Sequence, residues 1–201
     1  MTMSPRLRKF MLAVHLTSAV GWIGAATTYL TLVVVVLTNE DARTVRDAIG
    51  VMALIDWYVI IPMAIAAFIT GLVLSLGTQW GLFRHYWVLF SLLLTVFGIF
   101  VLVEYSLTLR EMAAVAANPT FSSSDLDFLK DPGHAVHNIG GLGLLLVVTV
   151  LNVYKPRGLT RYGWRKQQAA RAAPAEQRLH GTAQSSQFFD TRGGSPQKIT
   201  S

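Results

Sequence analysis

Histidine and acidic side chains occur in this sequence inside or beside long apolar stretches, where an ionisable group carries a large energetic cost. In the middle of a membrane-spanning helix the cost is about 2.5–3.5 kcal/mol, so each such group needs an explanation. One set combines two carboxylates with two imidazoles: Asp56, Glu104, His134 and His137. These groups at similar depth can bind a divalent cation, relay protons or form ion pairs. All three chemistries fit the residue types.

A second set lies toward the other end of the same stretches and contains His15 and His85. Imidazoles that face each other from two helices are a common way for a bundle to hold a haem. His15 is followed by Trp22 and Tyr29 at intervals of seven residues, which places the three on one helix face. We therefore expect a haem b or other redox site with His15 as one ligand and His85 or Met63 as its partner, although His85 also suits an interfacial belt.

Four apolar stretches have to position these side chains. Each has about the 20 residues that an α-helix needs to cross a ~30 Å hydrocarbon layer. They cover approximately residues 10–38, 51–77, 86–109 and 135–154. Because the joints are short, neighbouring helices are antiparallel. The sequence predicts an all-α, up-down-up-down bundle of four transmembrane helices over residues 1–154, followed by a basic and largely disordered tail over residues 155–201.

The composition supports a polytopic membrane protein. Hydrophobic residues make up 52% of the chain and charged residues only 14%, whereas soluble domains carry about 25% charge. The absence of cysteine excludes disulfides, thiolate zinc sites, iron–sulfur clusters and cysteine nucleophiles. There is no P-loop, dinucleotide fingerprint or nucleophile elbow. Pro62 within the second stretch predicts a kink there.

The basic residues are distributed unevenly between the two sides of the predicted bundle. Of 17 Lys and Arg residues, 13 lie before the first stretch, in the joint between the second and third stretches, or in the tail. This positive-inside bias predicts that both termini are cytoplasmic. The tail is expected to bind anionic lipid headgroups rather than nucleic acid.

Several segments carry a resemblance to a known family: Arg8–Phe10, His15–Leu16, Gly21–Gly24 and Thr78–Trp87. Together they resemble a bacterial family of uncharacterised four-helix integral membrane proteins, and the resemblance covers the chain nearly to Tyr154. It implies the four-helix architecture and a location in the bacterial cytoplasmic (inner) membrane. It implies no particular activity.

The first stretch has a more distant resemblance, carried by His15, Trp22–Gly24 and Tyr29. It is similar to the first helix of the haem-binding membrane protoporphyrinogen oxidases and of the copper resistance protein D membrane domain. In the oxidase family the first-helix histidine is an axial haem ligand, partnered by a lysine in a later helix. His15 matches the first role, and no lysine lies within the four stretches.

Three functions remain open from the sequence. The first is a haem- or metal-binding bundle with His15 as a ligand. The second is a small ion- or proton-handling protein that uses Asp56, Glu104 and His137. The third is a non-catalytic accessory or scaffold subunit, whose polar faces serve association with a membrane protein partner or with a second copy of the chain.

Overall fold

The computed structural model describes residues 3–78, 81–156 and 158–172. The described chain is helical, which confirms the predicted all-α class. Helices are separated by short turns, and a five-residue π-helical turn, Asp56–Ile60, joins the second helix directly to the third. The helices are α1 (Pro5–Thr38), α2 (Ala42–Ile55), α3 (Ile61–Gly77), α4 (Tyr86–Ala117), α5 (Ser123–Leu129) and α6 (Gly133–Tyr154).

Four segments of the described chain are long and apolar enough to cross a membrane, as predicted. They are Pro5–Thr38, Ala42–Gly77, Tyr86–Ala117 and Ser123–Tyr154. Helix α1 packs on α3 and α6, and α4 packs on α2 and α6. The first and third spans therefore lie diagonally across the bundle, as in an up-down-up-down arrangement.

The bundle has two distinct ends. We call the end where α1 begins and α6 finishes the terminal end, and the opposite end, with the turn between α1 and α2 and the α4–α5–α6 connection, the loop end. At the terminal end the N–H of Met3 donates to the carbonyl of Gly77 (3.0 Å), and the N–H of Tyr86 donates to the carbonyl of Gly158 (3.2 Å). These bonds join the chain segments that enter and leave the spans.

At the loop end two helices extend beyond the predicted spans, because their amphipathic pattern continues after the apolar stretch ends. Helix α2 begins at Ala42, and α4 continues to Ala117. At about 1.5 Å per residue the 32 residues of α4 measure about 48 Å, well over the ~30 Å of a hydrocarbon layer. The protruding turns form a small apolar core with α5, consisting of the buried side chains Val45, Ile49, Met112, Ala116 and Leu129.

Polar contacts stabilise this loop-end core. The guanidinium of Arg46 donates to the backbone carbonyls of Ala116 and Asn118, the latter at 3.1 Å, and lies 5.0 Å from the centre of the Phe121 ring. Ser122 and Asp125 form a capping box at the start of α5, which satisfies two backbone donors that a helix start leaves free.

The π-helical turn ends two residues before Pro62, where the sequence predicted a kink. Proline lacks the N–H that continues an α-helical ladder, and its ring crowds the carbonyl four residues earlier. The N–H of Ile61 bonds to the carbonyl of Asp56, five residues back, instead of four. The second span therefore continues through the proline without a break.

The tail forms a separate unit that begins at Leu159. Residues 161–172 are helical. This segment contains good helix formers such as alanine, glutamine and arginine. The predicted disorder of residues 173–201 concerns a part of the chain outside the described residues.

Candidate functional site

Polar side chains from all four spans meet in the half of the bundle nearer the loop end. Tyr29 comes from α1, Asp56 from the π-helical turn, Tyr105 and Ser106 from α4, and the last three from α6. We call this set the polar cluster: Tyr29, Asp56, Tyr105, Ser106, His134, His137 and Asn138. Asp56 lies 21 residues before Gly77, which corresponds to about 30 Å of helix. The polar cluster is therefore about one hydrocarbon thickness from the terminal end.

The ring of Tyr105 is the centre of the polar cluster. It stacks on His137 with the ring centroids 4.2 Å apart and the planes 16° from parallel. It meets Tyr29 edge-on at 6.3 Å and His134 edge-on at 6.0 Å. Tyr105 thus connects the first span with the fourth across the interior of the bundle.

Several polar atoms of the polar cluster are buried and have no hydrogen-bond partner among the described residues. They are the hydroxyls of Tyr29 and Tyr105, Nε2 of His134 and Oδ1 of Asn138. Leaving such a group unpaired costs about 1–3 kcal/mol. Native proteins hold few of them, so four in one place call for an explanation, and a functional role is one.

Asp56 brings a carboxyl group to the same place. Its side chain is 4% exposed and lies beside Ser106, whose hydroxyl donates to the carbonyl of Leu102 (2.9 Å), and both tyrosines of the polar cluster lie within its electrostatic range. The neighbouring Trp57 and Tyr58 are exposed. The π-helical turn therefore directs Asp56 into the bundle and the two aromatic residues outward.

A cleft of about 400 Å³ leads to Asp56 from the outer surface of the bundle. It lies between α2, the π-helical turn and α4. The guanidinium of Arg110 lies 4.4 Å from the centre of the Trp57 ring, and both residues line the cleft. The buried carboxyl can therefore be approached from outside the bundle.

The structure brings together three of the four residues that the sequence assigned to the acidic and imidazole set. The rings of His137 and His134 both contact the ring of Tyr105, and Asp56 lies within electrostatic range of Tyr105. Glu104 is exposed, whereas its chain neighbours Tyr105 and Ser106 are buried. Among the described residues, no group of three or more His, Asp and Glu is arranged to hold a metal ion.

The candidate haem ligands lie elsewhere. Nδ1 of His15 is 3.0 Å from the carbonyl of Ala67 and 3.1 Å from the hydroxyl of Thr70, both on α3. The sulfur of Met63 is near Gly21 on the same α1–α3 interface, since a Cβ added at Gly21 would lie 3.2 Å from it.

The remaining aromatic and imidazole candidates divide between the core and the helix start. Trp22 and Tyr29 are buried on the inner face of α1, as the seven-residue spacing predicted. His85 immediately precedes α4, with its ring 6.5 Å from that of Trp87. The structure thus connects His15 to the second span through hydrogen bonds and positions His85 at the start of the third.

Sequence reasoning missed two central members of the polar cluster, Tyr105 and Ser106. The available signal was their polarity within an apolar stretch, directly after Glu104. Glu104 was chosen from the sequence because it is charged and lies at a depth in the bilayer similar to that of Asp56. The face of α4 that turns inward instead contains the two hydroxyl residues.

Carboxylates at the loop end serve local structure. Hydrogen bonds from the side chain and backbone of Ser122 hold the pKa of the Asp125 carboxyl below its usual value. Bonds from Thr44, with a further backbone bond from Arg43, do the same for the pKa of Asp41, which caps α2. Glu40 forms an ion pair with Lys130 at 2.9 Å.

The comparisons with known proteins bear on the whole bundle. No curated protein matches the chain, and no solved structure matches it. A family model described as "Predicted integral membrane protein (DUF2269)" matches residues 9–156, which include nearly all of the four spans and every member of the polar cluster. The chain therefore belongs to the DUF2269 family of predicted integral membrane proteins.

Proposed function

We propose that this protein handles protons at the polar cluster. The supporting observation is the convergence of a buried carboxyl, two phenols and two imidazoles from all four spans, three of whose polar atoms have no described partner. Those three atoms are the hydroxyls of Tyr29 and Tyr105 and Nε2 of His134. Carboxyl and imidazole groups form the proton relays of membrane pumps and transporters, and a phenol can donate and accept between them.

The order of contacts supports a route for the proton. Asp56 is reached from the cleft and interacts with the two tyrosines. Tyr105 then touches both imidazoles of α6, and His134 is the closer of the two to the loop end. A proton that arrives at Asp56 therefore has titratable neighbours in the two tyrosines, and Tyr105 in turn contacts the two imidazoles through its ring.

The test compares two carboxyl groups of similar depth in vesicles that contain the purified protein and a trapped pH-sensitive dye. Asp56→Asn keeps the size of the side chain and one acceptor oxygen but cannot ionise. We expect proton exchange after a pH jump to fall by about tenfold or more, the effect of ~1.4 kcal/mol on a rate barrier. Glu104→Gln is the matched control, because Glu104 is exposed on the outer face of α4, and its exchange should equal that of the wild type.

Two outcomes would contradict the proposal. One is equal exchange in Asp56→Asn and the wild type, or wild-type exchange no faster than that of empty vesicles. The other is a loss in Glu104→Gln as large as in Asp56→Asn, because the effect would then follow charge at this depth rather than the polar cluster.

A haem site is a second candidate, favoured by one contact. A metal-bound histidine generally donates its other ring N–H to a carbonyl or carboxylate, and Nδ1 of His15 lies 3.0 Å from the Ala67 carbonyl. This tautomer leaves Nε2 as the ligand atom. It predicts a Soret band in the purified protein that His15→Ala removes. A preparation that stays colourless after incubation with haem would eliminate this candidate.

We further propose that both termini face the cytoplasm of a bacterial cell, in the cytoplasmic membrane, and that the basic tail binds anionic lipid. The support is the set of 13 basic residues, out of 17, on the side of the termini. Because the chain has no cysteine, the single variants Arg43→Cys and Arg84→Cys can be labelled specifically. We expect a membrane-impermeant reagent outside the cell to label Arg43→Cys and not Arg84→Cys. Labelling of both from the same side would contradict this orientation.

A further inference from the structure

The cleft beside the polar cluster has the composition of a small-molecule site. Its volume of about 400 Å³ falls within the ~300–1,000 Å³ of ligand pockets, which are mainly apolar with a few polar groups. Apolar side chains form most of its wall. Its lining includes Gly50, Leu54, Asp56, Trp57, Ser106 and Arg110.

The polar groups of the cleft indicate the chemistry of its ligand. The carboxyl of Asp56 and the hydroxyl of Ser106 are buried and lie together at its inner side. Arg110 is exposed and stacks on Trp57. One potential negative charge and one positive charge line the same cleft, so it favours an uncharged ligand over an ion. A carboxyl oxygen at the inner side calls for a hydrogen-bond donor.

The surroundings of the cleft indicate where the ligand comes from. Leu54, Trp57 and Tyr58 are 58%, 50% and 70% exposed, so the mouth of the cleft is on the outer, lipid-facing side of the second span. Tryptophan and tyrosine beside an arginine are typical of the boundary between hydrocarbon and headgroups. A molecule that enters here arrives from the bilayer, with a polar group at this depth and an apolar remainder in lipid.

We propose that the cleft binds an uncharged, hydroxyl-bearing amphiphile from the bilayer, such as a long-chain alcohol or alkylphenol, with its hydroxyl at Asp56 and Ser106. The ligand's O–H donates to the carboxyl of Asp56, and its oxygen accepts from the Ser106 hydroxyl, which donates to the Leu102 carbonyl when the cleft is empty. This binding requires no proton transfer through the polar cluster. It therefore goes beyond the proposed proton handling and can be tested separately.

Gly50 provides a clean way to close the cleft. It is an exposed residue of α2, and a Cβ added there meets no atom within 4 Å. Leucine at this position would occupy the cleft without disturbing the packing, and its helix propensity is higher than that of glycine. Gly24 on α1 is a matched control, since it is also helical and exposed with open space around it, and does not line the cleft.

The experiment uses the full-length protein in lipid vesicles and a long-chain alcohol that carries a photoactivatable diazirine. We expect crosslinks concentrated in residues 50–58 and 106–113, suppressed by excess unlabelled long-chain alcohol. Labelling of these segments should fall about tenfold in Gly50→Leu, equivalent to ~1.4 kcal/mol of binding free energy. It should be unchanged in Gly24→Leu. The corresponding amine and carboxylic acid probes should label the cleft less than the alcohol.

Three results would overturn the proposal: crosslinks spread evenly over the exposed apolar surface, equal labelling of Gly50→Leu and the wild type, or stronger labelling by a charged probe. Asp56→Asn separates this proposal from the proposed function. Asparagine retains an oxygen that accepts from the alcohol, so labelling should largely persist while proton exchange falls.

Discussion

Replacing Tyr105 by phenylalanine should stabilise the protein while it removes the proposed proton route. The substitution deletes one oxygen atom and leaves the ring that stacks on His137 and meets Tyr29 edge-on. That oxygen is buried without a partner among the described residues. The variant therefore loses a desolvated polar group and keeps its packing, which is an unusual case of a functional substitution that benefits the fold.

The expected size of the effect follows from the environment of the hydroxyl. An unpaired buried polar group costs about 1–3 kcal/mol, and the side chain is only 8% exposed. We expect a gain of ~1 kcal/mol in the free energy of unfolding. For a chain of this size this corresponds to a rise of about 2–4 °C in the midpoint temperature. Tyr29→Phe should shift stability in the same direction, because its hydroxyl is also buried without a partner.

The assay is thermal and denaturant-induced unfolding in one detergent, with Tyr154→Phe as the control. Tyr154 is 79% exposed, so its change should stay within about ±0.5 kcal/mol. A double-mutant cycle between Tyr29 and Tyr105 should give a coupling energy below about 0.5 kcal/mol, because the ring contact is kept in every variant. A loss of more than ~1 kcal/mol in either single variant, or a larger coupling, would show that the hydroxyls bond to each other.

Three further predictions concern the ends and the interfaces of the bundle. Arg46→Ala should lower the free energy of unfolding by about 1–3 kcal/mol, because it removes the donors to two carbonyls at the end of α4; unfolding midpoints measure this, and an unchanged midpoint would contradict it. Ser122→Ala should raise the pKa of Asp125 toward its usual value. The native pKa is lowered, so the cap contributes above pH ~4 and weakens as the pH falls further, which amide hydrogen exchange in α5 can follow; no difference between variant and wild type would refute this. Gly71→Ala should perturb His15, because a Cβ there lies 3.0 Å from its Cε1, and an unchanged imidazole NMR signal would exclude the contact.

The sequence predicted the architecture well because membrane spans are a property of long apolar runs. The four spans depend on local composition alone. The outward orientation of Glu104 could not be predicted from local composition. Depth along a helix can be read from the sequence, but the face that turns inward is decided by how four helices pack, and consecutive residues differ by about 100°. Glu104 and Tyr105 share a depth and face opposite environments.

The partner of His15 could not be predicted for another reason. The imidazole bonds to the backbone carbonyl of Ala67 as well as to Thr70. Every residue offers a carbonyl, so no side-chain pattern identifies which one is used. The spacing of His15, Trp22 and Tyr29 did identify the inner face of α1, because that regularity is a property of one helix.

The π-helical turn makes the angular setting of the second span depend on chain length. A π-helical turn contains one residue more than the α-helical path it replaces. Deleting a single residue between Trp57 and Ile60 would allow an uninterrupted α-helix and rotate everything before it by about 100° relative to α3. Asp56 would then swing out of the interior, and the face of α2 that meets α4 would turn with it. Orthologues should therefore tolerate exchanges of residue type in this turn more readily than insertions or deletions.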